Sequence, residues 1–187
     1  MRQDARLNRE RILVAAEAVF GEHGAAGSTE DVARRAGVGI ATVFRHFPTK
    51  EALIEAALLR HFAELTTQAR ALAEDPDPAT ALGTLVRTMI ETGSTKLTLA
   101  SLLGERGEFP ESASAASELL RTEVRRVLRR AQDSGVARRS VTVDEVYLLV
   151  RGLAQASATM PTKASTLHRA VDVVLAGLAL PAGPARP

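Results

Sequence analysis

The chain has no cysteine and no tryptophan among its 187 residues. Without cysteine it can form no disulfide, use no thiolate nucleophile and build no cysteine-based zinc or iron–sulfur site. No apolar run is long enough to span a bilayer, and the charged start MRQDARLNRE carries no signal-peptide pattern. A cytoplasmic protein that does not associate with membranes is the expectation. An excess of charge of either sign is also lacking, since a net charge of +2 is too small to advertise nucleic-acid binding. Residues 1–50 hold eight Lys and Arg against six acids, so any DNA signal must come from where the charges sit. No stretch alternates at period two, and no internal repeat is present. His23, His46, His61 and His168 are scattered without ligand spacing, and no glycine loop is built to cradle a phosphate. Glu105 and Glu108 share a loop but have no evident acid/base partner. Neither a catalytic constellation nor a cofactor is expected.

What is present is apolar content enough for a core, at 45% hydrophobic residues. Three of the six aromatics, Phe20, Phe44 and Phe47, fall in the first fifty residues, which suits a small, densely packed head. Residues 1–8 read as a polar tail, though Arg2, Arg6 and Arg9 could alternatively trail into a minor groove. From Asn8 or Arg9 to His23 the positions Ile12, Leu13, Ala16, Val19 and Phe20 keep helical period, and Gly24 closes the helix. The stretch Ser28–Lys50, STEDVARRAGVGIATVFRHFPTK, then organises the chain. Ser28 is an N-cap with Asp31 completing a capping box. Gly37 stands where a helix stops in the left-handed conformation. A second helix runs from about Gly39 to Phe47, ended by Pro48. Two helices joined by a short glycine turn form a helix-turn-helix, whose second helix fits the DNA major groove.

The rest of the chain also reads as helix, so the fold class is all-α. Thr49 caps a long helix from about Lys50 to Ala73 with Leu53, Ile54, Ala57, Leu58, Phe62 and Leu65 on its stripe. After the loop EDPDP come helices at about 79–94, 96–104, 111–133, 143–159 and 163–180, the loop GERGEFP separating the second and third of these. The inward face of helix 79–94 is Leu82, Leu85, Val86, Met89 and Ile90; that of 111–133 is Leu120, Val124, Val127, Leu128 and Ala131. Arg121, Arg125, Arg126, Arg129, Arg130, Arg138 and Arg139 form a second basic cluster, read as a solvated face near a helix C-terminus. The last two helices mix small residues (Gly152, Ala154, Ala156, Ala158; Ala170, Ala176, Gly177, Ala179) with Val and Leu. They are either a buried pair within one chain or half of a four-helix bundle across a two-fold axis.

The pieces RILVAAEAVFGEHG, DVARRAGV and TVFRHFPTKEAL, in this order and spacing, resemble the DNA-binding domain of TetR-family transcriptional regulators. One departure falls between Gly24 and Val32, where the chain is one residue shorter than the usual pattern and reads AAGST. The resemblance implies a DNA-binding domain over 1–49 and a helical effector-binding and dimerisation domain over 50–187. It also implies a homodimer formed through the two C-terminal helices. Geometry agrees, because a lone recognition helix reads only a few base pairs while a dimer reads two half-sites.

On the second helix of the motif, Gly39, Ile40, Ala41, Thr42, Arg45 and His46 should meet double-stranded DNA, with Val43 and Phe47 turned inward. Arg45 can pair bidentately with guanine or take a phosphate, and Ile40 and Ala41 offer apolar contact to a thymine methyl. The resemblance implies backbone contacts at the positions of Phe44, His46 and Lys50, where Phe44 replaces the usual tyrosine and so lacks its hydroxyl. Ser28 and Thr29, at the start of the preceding helix, are candidate phosphate contacts. A small-molecule effector would sit among the later helices, with Phe62, Met89, Leu102, Phe109, Tyr147 and Met160 as candidate lining, each also readable as ordinary core. The expected function is a sequence-specific repressor of palindromic operators relieved by its ligand. The alternative is an all-α small-molecule carrier or enzyme whose helix-turn-helix-like head is coincidental.

Overall fold

The computed structural model describes residues 2–104, 109–160 and 162–180, with side chains described from Asp4 onward. Among these residues the chain forms nine α-helices and no strand. They are α1 (Arg2–His23), α2 (Thr29–Ala36), α3 (Ile40–His46), α4 (Lys50–Ala73), α5 (Pro78–Glu91), α6 (Gly93–Gly104), α7 (Glu111–Asp133), α8 (Val143–Thr159) and α9 (Ala164–Leu178), with a 3-10 turn at Gly24–Ala26. Glu105, Glu108 and the tail 181–187 lie outside the described residues. None of the described helices is long and apolar enough to cross a membrane.

Two compact units are present: Met1–Glu64 with Ser94–Ser117, and Leu65–Gly93 with Glu118–Pro187. Helices α4 and α7 are continuous and supply both. The boundary at 49/50 expected from the sequence falls inside the first unit, at the junction of α3 and α4.

In the first unit α1 packs on α2 and α3. Ile12, Leu13, Ala16, Val19 and Phe20 are buried with Val32, Ala36, Val43 and Phe47, the expected face. One expectation is corrected: residues 2–8 are not a tail but the first two turns of α1. Asp4 in the opening turn complements the positive end of the helix dipole. Five residues further along, the Arg9 guanidinium lies 5.2 Å from the centre of the Phe47 ring, a cation–π contact that holds α1 against the end of α3. Arg9 is therefore part of the head and not of a trailing arm.

In the second unit α5 packs on α8 and α9. Leu82, Leu85, Val86, Met89, Ile90, Leu120, Val124, Val127, Leu128 and Ala131 are all buried, as their spacing predicts. Asp77 caps α5 by accepting from the amides of Ala79 and Thr80, and Pro78 takes the first helical position, where no N–H is needed. The expected helices at 79–94 and 96–104 instead meet at Thr92 and Gly93. A Cβ on Gly93 would stand 2.6 Å from that of Ala154, so glycine is what lets α8 come this close. An isolated antiparallel bridge joins Ala137 to Ala179, with the Arg138 amide donating to Leu178 O at 2.9 Å and that of Leu180 to Val136 O at 3.1 Å.

Candidate nucleic-acid interface

The helix-turn-helix of α2 and α3 is framed by three local devices, one at the start of α2, one in the turn and one at the end of α3. The Ser28 hydroxyl accepts from the Asp31 amide at 3.1 Å, and the Asp31 carboxylate accepts from the Ser28 amide at 3.3 Å, closing the capping box. The Ser28 hydroxyl also donates to Asp31 at 2.5 Å, and this bond, with the backbone bond and Arg34 beside it, holds the Asp31 carboxyl below its ordinary pKa. At the other end Gly37 adopts φ +65°, and its amide donates to Arg34 O. Only a residue without a Cβ takes that conformation readily. The chain then re-enters helix at Gly39, and the Phe47 amide closes α3 on Val43 O at 2.8 Å.

This frame sets which side of α3 faces solvent. Val43 and Phe47 are buried. Gly39, Ile40, Ala41, Phe44 and Arg45 are exposed, while Thr42 and His46 are half-buried. Positions 40, 41, 44 and 45 recur at helical spacing and form one outward face. An Arg45 guanidinium nitrogen donates to the Thr42 hydroxyl at 3.3 Å, so the two polar side chains of that face stand together. Phe44 is 44% exposed, a large apolar ring held toward solvent beside them. Such a face can offer a forked donor, a hydroxyl and apolar surface to a groove at once.

Of three expected contacts, two are engaged elsewhere and one is buried. The Ser28 hydroxyl is committed to Asp31, and Thr29 is buried. Glu30 and Asp31 put negative charge at the start of α2, where a phosphate would have to approach. Lys50 donates from Nζ to Gly27 O at 2.6 Å and Ala25 O at 3.1 Å, and lies 5.4 Å from the centre of the Phe20 ring. Its ammonium thus binds the start of α4 to the turn after α1, leaving one of its three donors for anything outside. Periodicity and spacing in the sequence do not carry this clamp, which spans more than twenty residues.

A second long-range tie joins α4 to α1. Arg60 on α4 donates to Glu10 at 2.5 Å, to Glu17 at 2.6 Å and to Glu64 at 2.5 Å, tying α4 to α1. His61 beside it is buried, its Nδ1 3.8 Å from Glu17 and its Nε2 without a partner among the described residues. Only the Arg60–Glu64 pair, at i,i+4, leaves a mark in the sequence.

The six candidate effector residues divide between the units. Phe62, Leu102 and Phe109 belong to the first, and Met89, Tyr147 and Met160 to the second. Phe62, Met89 and Leu102 are core, whereas Phe109 and Met160 are exposed. The Lys96 ammonium sits 5.5 Å from the centre of the Phe62 ring. The Tyr147 hydroxyl is buried with no partner among the described residues, and the Arg121 guanidinium covers its ring at 5.2 Å. Burial pushes the phenol up to about 12.

Residues 12–57 match the domain family described as bacterial regulatory proteins, tetR family. Residues 77–180 match the C-terminal domain of SbtR-like transcriptional regulators. Among solved structures, a TetR transcriptional regulator from Streptomyces coelicolor is 32% identical, with 93% of this chain and 99% of that one covered at a TM-score of 0.81. A TetR transcription regulatory protein from Mycobacterium vanbaalenii is 30% identical, with 96% and 99% covered at a TM-score of 0.77. No curated protein matches the chain.

Proposed function

The chain belongs to the TetR family of DNA-binding transcriptional regulators, and from that premise we propose that it is a homodimeric repressor released from a palindromic operator by a small molecule. Members of this family are generally regulators and not enzymes, which favours this reading over the carrier or enzyme alternative. Residues 1–49 read DNA in this proposal, and residues 50–187 dimerise and sense. The observation that carries it is the outward face of α3, on which Arg45 and Thr42 stand paired over a buried Val43–Phe47 anchor. Gly39, Ile40, Ala41, Phe44 and His46 complete the contact set. Ser28, Thr29 and Lys50 act chiefly by positioning that helix, since their polar groups or their bulk are engaged within the head.

The dimer seam falls on α8 and α9. Each helix buries one edge, through Val146, Val150 and Ala154 on α8 and through Val171 and Leu178 on α9. Each also exposes large apolar residues: Leu148 and Val173 are both 73% exposed, and Leu149 is 40% exposed. Apolar surface of this kind on two adjacent helices needs a cover, and a second copy of the same pair supplies it. TetR-family regulators bind small molecules through the C-terminal domain. Of the six candidate residues, Tyr147 has the strongest support, because a ligand acceptor would satisfy its buried hydroxyl.

Selection of duplexes from a random pool by the purified protein at physiological salt tests the proposal. Enrichment of a palindrome with fixed half-site spacing is expected, and its loss in Leu148→Asp/Val173→Asp would place the seam. Salt-sensitive binding with no enriched sequence would refute it.

A further inference from the structure

The arginines of α7 do more than solvate a face. Arg125, Arg126, Arg129 and Arg130 line one wall of a groove of about 700 Å³ within the second unit, walled also by Ala73, Glu74 and Asp133. Two of its four arginines have structural employment. Arg126 pairs with Glu74, and Arg130 donates to Ala73 O at 2.6 Å, capping the C-terminal end of α4. Arg125 and Arg129, one turn apart on α7, have no hydrogen-bond or ion-pair partner among the described residues. Like charges at this spacing repel, and the two carboxylates that line the groove, Glu74 and Asp133, are fewer than its four arginines.

We propose that this groove binds a small molecule bearing a diphosphate or two adjacent phosphoryl groups, held by Arg125 and Arg129. The volume lies in the range of small-molecule sites, about 300–1,000 Å³. Two guanidinium forks with Cβ atoms about 6 Å apart match neighbouring oxyanions, and each can bind one bidentately. Along α7 the arginine run is bounded by Glu123 before it and Asp133 after it. That boundary suits an anion whose charge is confined to the middle of the groove and opposes a long polyanion such as duplex DNA. The site is separate from the α3 face and from the apolar seam on α8 and α9.

Calorimetric titration of the full-length protein with sodium pyrophosphate, at ionic strength held constant with sodium chloride, tests this. Saturable binding at one site per chain is expected, unchanged in Arg45→Ala. Loss of two charged hydrogen-bonding partners should weaken it by roughly ten- to a hundredfold in Arg125→Gln/Arg129→Gln. Arg129→Lys, which keeps the charge and loses the fork, should fall between and also serves if the double variant folds poorly. ADP titrated in parallel should bind at the same site, and tighter binding than pyrophosphate would mark a nucleoside diphosphate as the source. Pyrophosphate binding untouched by the double substitution, or abolished by Arg45→Ala, would overturn the assignment. So would an unchanged pyrophosphate isotherm with weakened duplex binding, which would give this face to nucleic acid.

Discussion

Replacing Arg60 by methionine removes the one cation that three carboxylates share. The Arg60 side chain is 17% exposed and that of Glu17 is 15% exposed, while Glu10 and Glu64 are 55% and 57% exposed. The two exposed pairs are screened by water and contribute about 0–1 kcal/mol each. Breaking a buried pair costs about 3–5 kcal/mol because a charge is left without a partner, and the partial exposure of Arg60 and Glu17 brings this to about 2–3 kcal/mol. The expected total for Arg60→Met is therefore about 3 kcal/mol. Burial alone would lower the Arg60 pKa, yet Glu10 and Glu17 raise it above its ordinary value, in keeping with a guanidinium that its partners more than compensate.

The same reasoning makes a sharper statement about the double variant. Once Arg60 is gone, the isolated charge on Glu17 is the main penalty, so Arg60→Met/Glu17→Met should return to within about 1 kcal/mol of wild type. The coupling between the two sites should then be at least about 1.5 kcal/mol. Urea unfolding followed by far-ultraviolet circular dichroism, at one fixed protein concentration because a dimer links stability to concentration, measures both. A single variant within about 0.5 kcal/mol of wild type, or a double variant no more stable than the single, would refute the account.

Arg45→Ala should lower operator affinity by about 1–3 kcal/mol with the melting temperature unchanged, because its recorded contact is the neighbouring Thr42; equal affinity in a gel-shift titration would remove α3 from the groove. Gly37→Ala should destabilise the head by about 1–2 kcal/mol, since φ is +65° there, and an unchanged urea midpoint would contradict the left-handed turn. Asp31 has its carboxyl held low by the Ser28 hydroxyl, so its stabilisation is present above the unfolded pKa of about 4 and fades as pH falls through the lower folded value. The stability gap between wild type and Asp31→Asn should accordingly hold from neutrality to mildly acid pH and close below it. Lys50→Ala should lower stability by about 1–2 kcal/mol, because its ammonium binds Ala25 and Gly27; a loss of DNA affinity with unchanged stability would make it a plain phosphate contact.

Helix limits were legible wherever the chain marks them chemically. The Thr49 hydroxyl accepts from the Ala52 amide at 3.0 Å, and α4 runs over Lys50–Ala73 as expected. Helices α7 and α8 likewise match, and their buried stripes follow from period alone. The start of α1 was missed because its first two turns are polar and carry no cap signal, so tail and helix look alike in sequence. The meeting of α5 and α6 differs from expectation because Gly93 is fixed by Ala154, far along the chain. The outward face of α3 was readable from Val43 and Phe47, but the fates of Ser28 and Lys50 were not. A capping hydroxyl and a phosphate-binding hydroxyl are the same residue until its partner is seen. A lysine at the head of a helix gives no sign that two carbonyls from an earlier turn will claim it. The four arginines of the α7 groove pose the same problem, since composition cannot separate Arg130, which caps α4, from Arg129, which caps nothing.

Tyr147 makes the molecule its own optical probe. With no tryptophan and a single tyrosine in the chain, tyrosine emission comes from one ring, half-buried on α8 beneath the Arg121 guanidinium. Any change in its lifetime or anisotropy reports on the second unit without a label. The complete lack of cysteine allows a dye to be attached at one chosen site in the head, so the two units can be watched in different colours in a single cuvette.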